Sequence, residues 1–220
     1  MVLYGDSHAA MWLDAIASIA SDNHWRLVAL TKGDCPADLL PYENPSGWGA
    51  AGGEYSVCDR WHRFAVARIN RLHPDLVIIS QEVRNRPDGR SYPPALWKRG
   101  LTTALNQLDV PKSDVVVLGN IPTLPSSGPE CLSRNRDDVQ RCSGTISYYS
   151  QRYVRAEQAA ATKAGGHFID VTPWFCSTIC TAIVSKYEVY FDLYHITLSY
   201  TFYLKGALAE SLDVPSYGSP

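Results

Sequence analysis

The chain has 220 residues, 45% of them hydrophobic, enough for one α/β domain to bury a sizeable core unaided. Its 20 Lys and Arg stand against 22 Asp and Glu, so it sets up no field to gather nucleic acid or an anionic membrane surface. No run approaches the roughly 18 apolar residues that span a bilayer, and the first residues lack the regions of a signal peptide.

In chain order, Met1–Tyr4 is a short apolar strand, and Ala9–Ala20 carries Met11, Trp12, Ala15, Ile16 and Ile19 at helical spacing. Trp25–Leu30 reads as a second strand, followed by a loop over Thr31–Ser56 rich in Gly, Pro, Asp and Asn. Asp59 is a candidate cap for a helix whose apolar face holds Trp61, Phe64, Ala65, Ile69 and Leu72. Asp75–Ile79 suits a buried central strand, and Pro93 and Pro94 open a helix through Leu108. Asp114–Leu118 is a fourth strand, and Ile121–Cys142 is a second excursion rich in Pro and Ser. Thr145–Ala164 is helical until Gly165 and Gly166 stop it, His167–Asp170 is a fifth strand, and Thr197 caps a closing helix through Leu212. This alternation predicts a single three-layer α/β/α domain over 1–220, with a mainly parallel, doubly wound, flavodoxin-like sheet of about five strands.

The six cysteines, at 35, 58, 131, 142, 176 and 180, fall as three neighbouring pairs in loop-like segments. Structural zinc would call for close Cys-x-x-Cys pairs or interleaved histidines, which are missing. Three disulfides are expected, Cys35–Cys58, Cys131–Cys142 and Cys176–Cys180 being the simplest connectivity, and with them an oxidising compartment. With no export signal and a first motif already at residue 5, the sequence reads as a domain cut from a longer exported or membrane-anchored protein.

Gly5-Asp6-Ser7-His8 lies where the first strand hands over to the first helix, the edge at which such sheets present their ligands. A serine there can face the crevice while helix amides face a developing oxyanion; Gly5 suits the tight turn, and either Asp6 or Ser7 can serve as a plain cap. Asp192 and His195 stand three apart before the closing helix, so the carboxylate can fix one ring nitrogen while the other takes a proton from serine. Serine needs such a base, being a weak nucleophile at its free pKa. His8 can touch substrate or bond locally. Glu82 and Arg84 follow a central strand into the crevice, for an ion pair or a substrate contact. Trp48, with Tyr42 and Tyr55, either stacks on sugar rings or packs the loop down. His24, His62, His73 and His167 show no ligand spacing, so no metal is expected.

Gly5-Asp6-Ser7-His8-Ala9 and Asp192-x-x-His195 resemble the first and last blocks of SGNH hydrolases. Leu3–Ala9, Lys32-Gly33-Asp34-Cys35-Pro36, Cys176-Ser177-Thr178-Ile179-Cys180 and Val189–Thr197 together resemble the SGNH domain fused to bacterial acyltransferase-3 membrane proteins, over nearly the whole chain. The resemblance implies Ser7 as nucleophile, His195 as general base and acid, and Asp192 as its orienter. It implies an oxyanion hole from the Ser7 amide and Gly33. A third-block Gly-x-Asn-Asp should follow Asp75–Ile79, but the chain reads Ser80-Gln81-Glu82-Val83-Arg84-Asn85, leaving Gln81 or Asn85 as a side-chain donor, or two donors only. It further implies an extracytoplasmic domain tethered to the plasma membrane and no bound cofactor. The acyl donor would come from the fused membrane acyltransferase domain and ultimately from acetyl-CoA, and the acceptor would be a cell-envelope polysaccharide, glycolipid or peptidoglycan. Three functions are weighed: O-acyltransferase, in all expectation O-acetyl; carbohydrate or acetyl esterase; and a non-catalytic carbohydrate-binding module.

Overall fold

A computed structural model of the protein describes residues 1–44, 53–83, 86–88 and 90–213. The chain runs through β1 (Val2–Gly5), α1 (Ser7–Ala10), α2 (Leu13–Asp22), β2 (Val28–Thr31), α3 (Ser56–Leu72), β3 (Val77–Ser80), α4 (Pro94–Asn106) and β4 (Val115–Leu118). It continues through α5 (Gly128–Arg134), β5 (Gly144–Thr145), α6 (Tyr148–Ala164), β6 (His167–Ile169), β7 (Ile179–Cys180), β8 (Ile183–Val184), β9 (Tyr187–Glu188), α7 (Leu198–Tyr203) and α8 (Lys205–Ser211).

β-branched runs such as Val77-Ile78-Ile79 and Val115-Val116-Val117 favour strands and tolerate burial on both faces. They form the middle of a five-stranded sheet ordered β2-β1-β3-β4-β6, parallel throughout. Alternate residues supply two cores. Leu3, Ile78, Val116 and Leu118 pack with Ile16, Ile19, Tyr200 and Leu208 on the face covered by α2, α7 and α8. Val2, Tyr4, Val77, Ile79, Val115 and Val117 pack with Ala65, Ile69, Leu101, Leu105 and Ala160 under α3, α4 and α6. The sheet with helices on both faces is the expected architecture, and no described helix is long and apolar enough to cross a membrane.

Several element boundaries differ from expectation for local reasons. The helix expected over Ala9–Ala20 is two, split at Met11–Trp12, and the Thr201 hydroxyl donates to the Met11 carbonyl at 3.3 Å beside the split. Trp25 lies in the turn that closes α2 rather than in β2: His24 turns left-handed at φ 56° and the Trp25 amide returns to the Ala20 carbonyl. Asp59 does not cap α3, which begins at Ser56; it sits in the first turn, where a carboxylate suits the helix dipole. Thr145 lies in β5 instead of α6, and the second excursion contains α5. Thr197 does cap α7, accepting the Tyr200 amide, but the closing helix breaks into α7 and α8 at Leu204. Disulfides join Cys35 to Cys58, Cys131 to Cys142 and Cys176 to Cys180.

Candidate active site

β1 ends between β2 and β3, where successive connections leave the sheet in opposite directions, so its exit opens the crevice of a doubly wound fold. Gly5 is required there: its φ is +150°, and a Cβ would stand 1.9 Å from the Ser80 carbonyl oxygen. Asp6, fully buried, caps α1 by accepting the His8 amide on Oδ1 at 2.8 Å. Its Oδ2 accepts the Glu82 amide, also at 2.8 Å, which ties the exit of β1 to that of β3. Ser7 is thereby set at the first helical position, half-buried. The Lys32 amide donates to the Gly5 carbonyl at 3.0 Å, so Gly33 follows directly on a residue bonded to this turn. Because α1 has four residues, the charge that favours an anion here comes from individual amides rather than a long helix dipole.

The second turn is closed by the Phe191 amide donating to the His195 carbonyl and by a bridge between Tyr190 and Ile196. Inside it, Asp192 Oδ1 accepts the Tyr194 and His195 amides at 2.7 Å each, and Oδ2 lies 2.8 Å from His195 Nδ1. Burial works against this carboxylate, but the two amides and the imidazole outweigh it and hold its pKa below the ordinary value. With Nδ1 bonded to a carboxylate, Nε2 is the nitrogen left to accept a proton; it is buried and has no hydrogen-bond partner among the described residues. The His195 ring meets the His8 ring edge to face, centroids 5.3 Å apart. Since His8 is the neighbour of Ser7, the fold carries the Asp192–His195 pair to the serine turn. An imidazole so held can take a hydroxyl proton and return it to a leaving group.

His8 is buried, with Nδ1 2.9 Å from Asn120 Oδ1. Asn120 is the residue that the sequence reading missed. Its signal was a Gly119-Asn120 pair just beyond β4, one strand over from where the third block was sought. The Asn120 amide donates to Glu157 Oε2 at 2.9 Å. Burial pushes the Glu157 carboxyl up to about 8, against the pull of the Asn120 amide toward the ionised form.

Gln81 is fully buried, and its Oε1 accepts the Asp38 amide at 3.0 Å. Glu82 joins the site through its main chain. Tyr42 and Tyr55, 1% and 3% exposed, pack the long loop into a third core with Tyr92 and Trp97, which removes them as sugar platforms. Trp48, Arg84 and Asn85 lie outside the described residues. Cys35, Cys58 and His62 come close enough to ligate a metal, a grouping that the sequence reading had not seen. Here, however, the sulfurs form a disulfide and His62 Nε2 lies 2.7 Å from the Pro36 carbonyl, so the set does not fit an ion in this state.

Residues 1–210 match a family model described as an SGNH domain fused to AT3 domains. No curated protein sequence matches the chain. Among solved structures, the periplasmic domain of a lipopolysaccharide acetyltransferase from Salmonella ser. Paratyphi A is similar at a TM-score of 0.75 and 13% identity, covering 96% of this chain and 82% of that one. A carbohydrate acetylesterase from Sinorhizobium meliloti is similar at 0.55 and 16%, covering 92% and 84%. A lipase/acylhydrolase from Enterococcus faecalis gives 0.52 and 14%, covering 96% and 93%. At such identities these likenesses show the fold.

Proposed function

The chain belongs to the family of SGNH domains fused to AT3 domains, and on that premise we propose that it is the extracytoplasmic, acyl-transferring part of a membrane O-acyltransferase. It passes an acetyl group through Ser7, with His195 and Asp192, to a hydroxyl of a cell-envelope carbohydrate. The observation that carries this reading is the His195 imidazole: fixed on Asp192 at 2.8 Å, set against the ring next to Ser7, and with Nε2 unengaged.

His195 Nε2 removes the proton as Ser7 Oγ attacks the acyl carbonyl, and the Ser7 and Gly33 amides receive the developing oxyanion. Collapse returns the proton to the departing donor and leaves acyl-Ser7. The acceptor hydroxyl then gives its proton to Nε2, attacks the same carbonyl, and departs as the ester while Ser7 regains its hydrogen. The donor is delivered by the membrane domain and originates in acetyl-CoA. The similar Salmonella domain comes from a lipopolysaccharide acetyltransferase, which supports an envelope glycan as acceptor.

The test is incubation with p-nitrophenyl acetate, alone and with trehalose or chitooligosaccharides, for the wild type and Ser7→Ala. Acetylated sugar from the wild type, reduced at least about 10³-fold in the variant, is expected. Acetate release that depends on Ser7, with no sugar ester, would replace transfer by an esterase, and equal inertness of both proteins would leave a binding module.

A further inference from the structure

Glu157 is a buried acid in the middle of α6 with no place in the proposed chemistry, and its partners lead toward the site. Its Oε2 holds the main chain at Asn120, just past the carboxyl end of β4. The side chain of that same Asn120 meets His8 Nδ1 at 2.9 Å, and the His8 ring meets the His195 ring at 5.3 Å. His195 is thus met on two sides: Asp192 bonds Nδ1, and the His8 ring packs against the imidazole edge to face. The first support is local to one turn, whereas the second reaches back through the sheet to α6. An acid is not a cheap way to fill a core, because burial disfavours the charged form and an orphaned oxygen is costly. Its retention beneath Asn120 fits a need to fix that main chain by a hydrogen bond.

We infer that Glu157 is a positioning residue for His195, acting through the main chain of Asn120 and the Asn120–His8 contact. The inference rests on the reading of His195 as general base. Atoms more than one contact from the reaction matter in this way because a displacement of about 1 Å at a reacting group costs up to about a hundredfold in rate.

The test uses the whole domain, uniformly labelled with ¹⁵N, and reads the histidine ring nitrogens by long-range proton–nitrogen correlation beside hydrolysis of p-nitrophenyl acetate. Glu157→Gln keeps a carbonyl oxygen for the Asn120 amide, so the His8 and His195 ring signals should stay in place and kcat within about twofold. Glu157→Met keeps the volume without the acceptor. It should displace both ring signals and lower kcat between about tenfold and a hundredfold with little change in KM. A folded Glu157→Met protein with unmoved His8 and His195 signals overturns the proposal, as does a Glu157→Gln protein that behaves like Glu157→Met. Should Glu157→Met not fold, Asn120→Ala removes the middle link. Displaced His195 signals are then expected, and unmoved ones overturn the proposal. If the wild type hydrolyses no ester, the proposed function fails by itself, while the ring signals still decide whether Glu157 positions His195.

Discussion

The turn after β1 and the turn before α7 carry the candidate chemistry, and they are held in opposite ways. The first is braced from afar: buried Asp6 takes amides from its own turn and from Glu82, and His8 leans on Asn120, 112 residues on. The second is braced from within, since among the described residues every hydrogen bond to Asp192 comes from Tyr194 and His195. A nucleophile needs a fixed place in the crevice, which the sheet supplies. An acid–base pair needs a fixed mutual geometry, which one turn can supply alone. Changes in the second turn should therefore alter rate with little effect on stability, and changes in the first should alter both.

The largest expected effect is that of Asp192→Asn. The asparagine oxygen can still accept the turn's amides, but its other terminus can no longer accept from His195 Nδ1. We expect kcat for p-nitrophenyl acetate to fall about 10⁴-fold, as loss of the correct tautomer does elsewhere. The urea midpoint should barely move; a large loss of stability would mean that this turn is structural as well. Next comes Asp6→Ala, which strands two amides at a buried strand exit. Urea unfolding should show a loss of about 2–4 kcal/mol, together with about a hundredfold in kcat. Loss of rate without loss of stability would break the contrast.

The acids behind the first turn predict a dependence on pH. Burial raises Glu157 to about 8, and raises Asp38 to about 7 against hydrogen bonds from the Tyr42 hydroxyl and the Leu40 amide. The native state then keeps protons that the unfolded chain has lost, so the stability these two acids contribute is fully present below about pH 4 and is lost as pH rises toward about 8. The decline should be on the order of a few kcal/mol, and Glu157→Gln should flatten its upper part; an unchanged slope would locate the effect elsewhere. The smallest effect is that of Tyr190→Phe, which removes the 2.8 Å bond from the Tyr190 hydroxyl to the Pro122 carbonyl where the second turn meets the core. Thermal unfolding should register about 1 kcal/mol, with kcat within about twofold.

The sequence by itself determined whatever depends on neighbours within a few residues. β-branched runs marked the strands. Gly165 stopped α6 in a left-handed turn at φ 83°. The three-residue spacing of Asp192 and His195 let one turn close on itself, and the position of Ser7 just past the first strand put it at the crevice of any parallel α/β sheet. Only the tertiary structure decided the rest. Glu82 reaches Asp6 across 76 residues, and Glu157 reaches Asn120 across 37. The first pair forms because parallel strands lay their carboxyl ends side by side, and the second because α6 packs against β4, whatever the length of chain between them. The same cause packed Tyr42 and Tyr55 under the long loop and placed Asn120 beside the serine turn. Periodicity and spacing record what one helix or turn can satisfy alone, whereas a contact between strand exits depends on the order of strands in the sheet and on the burial that the sheet creates.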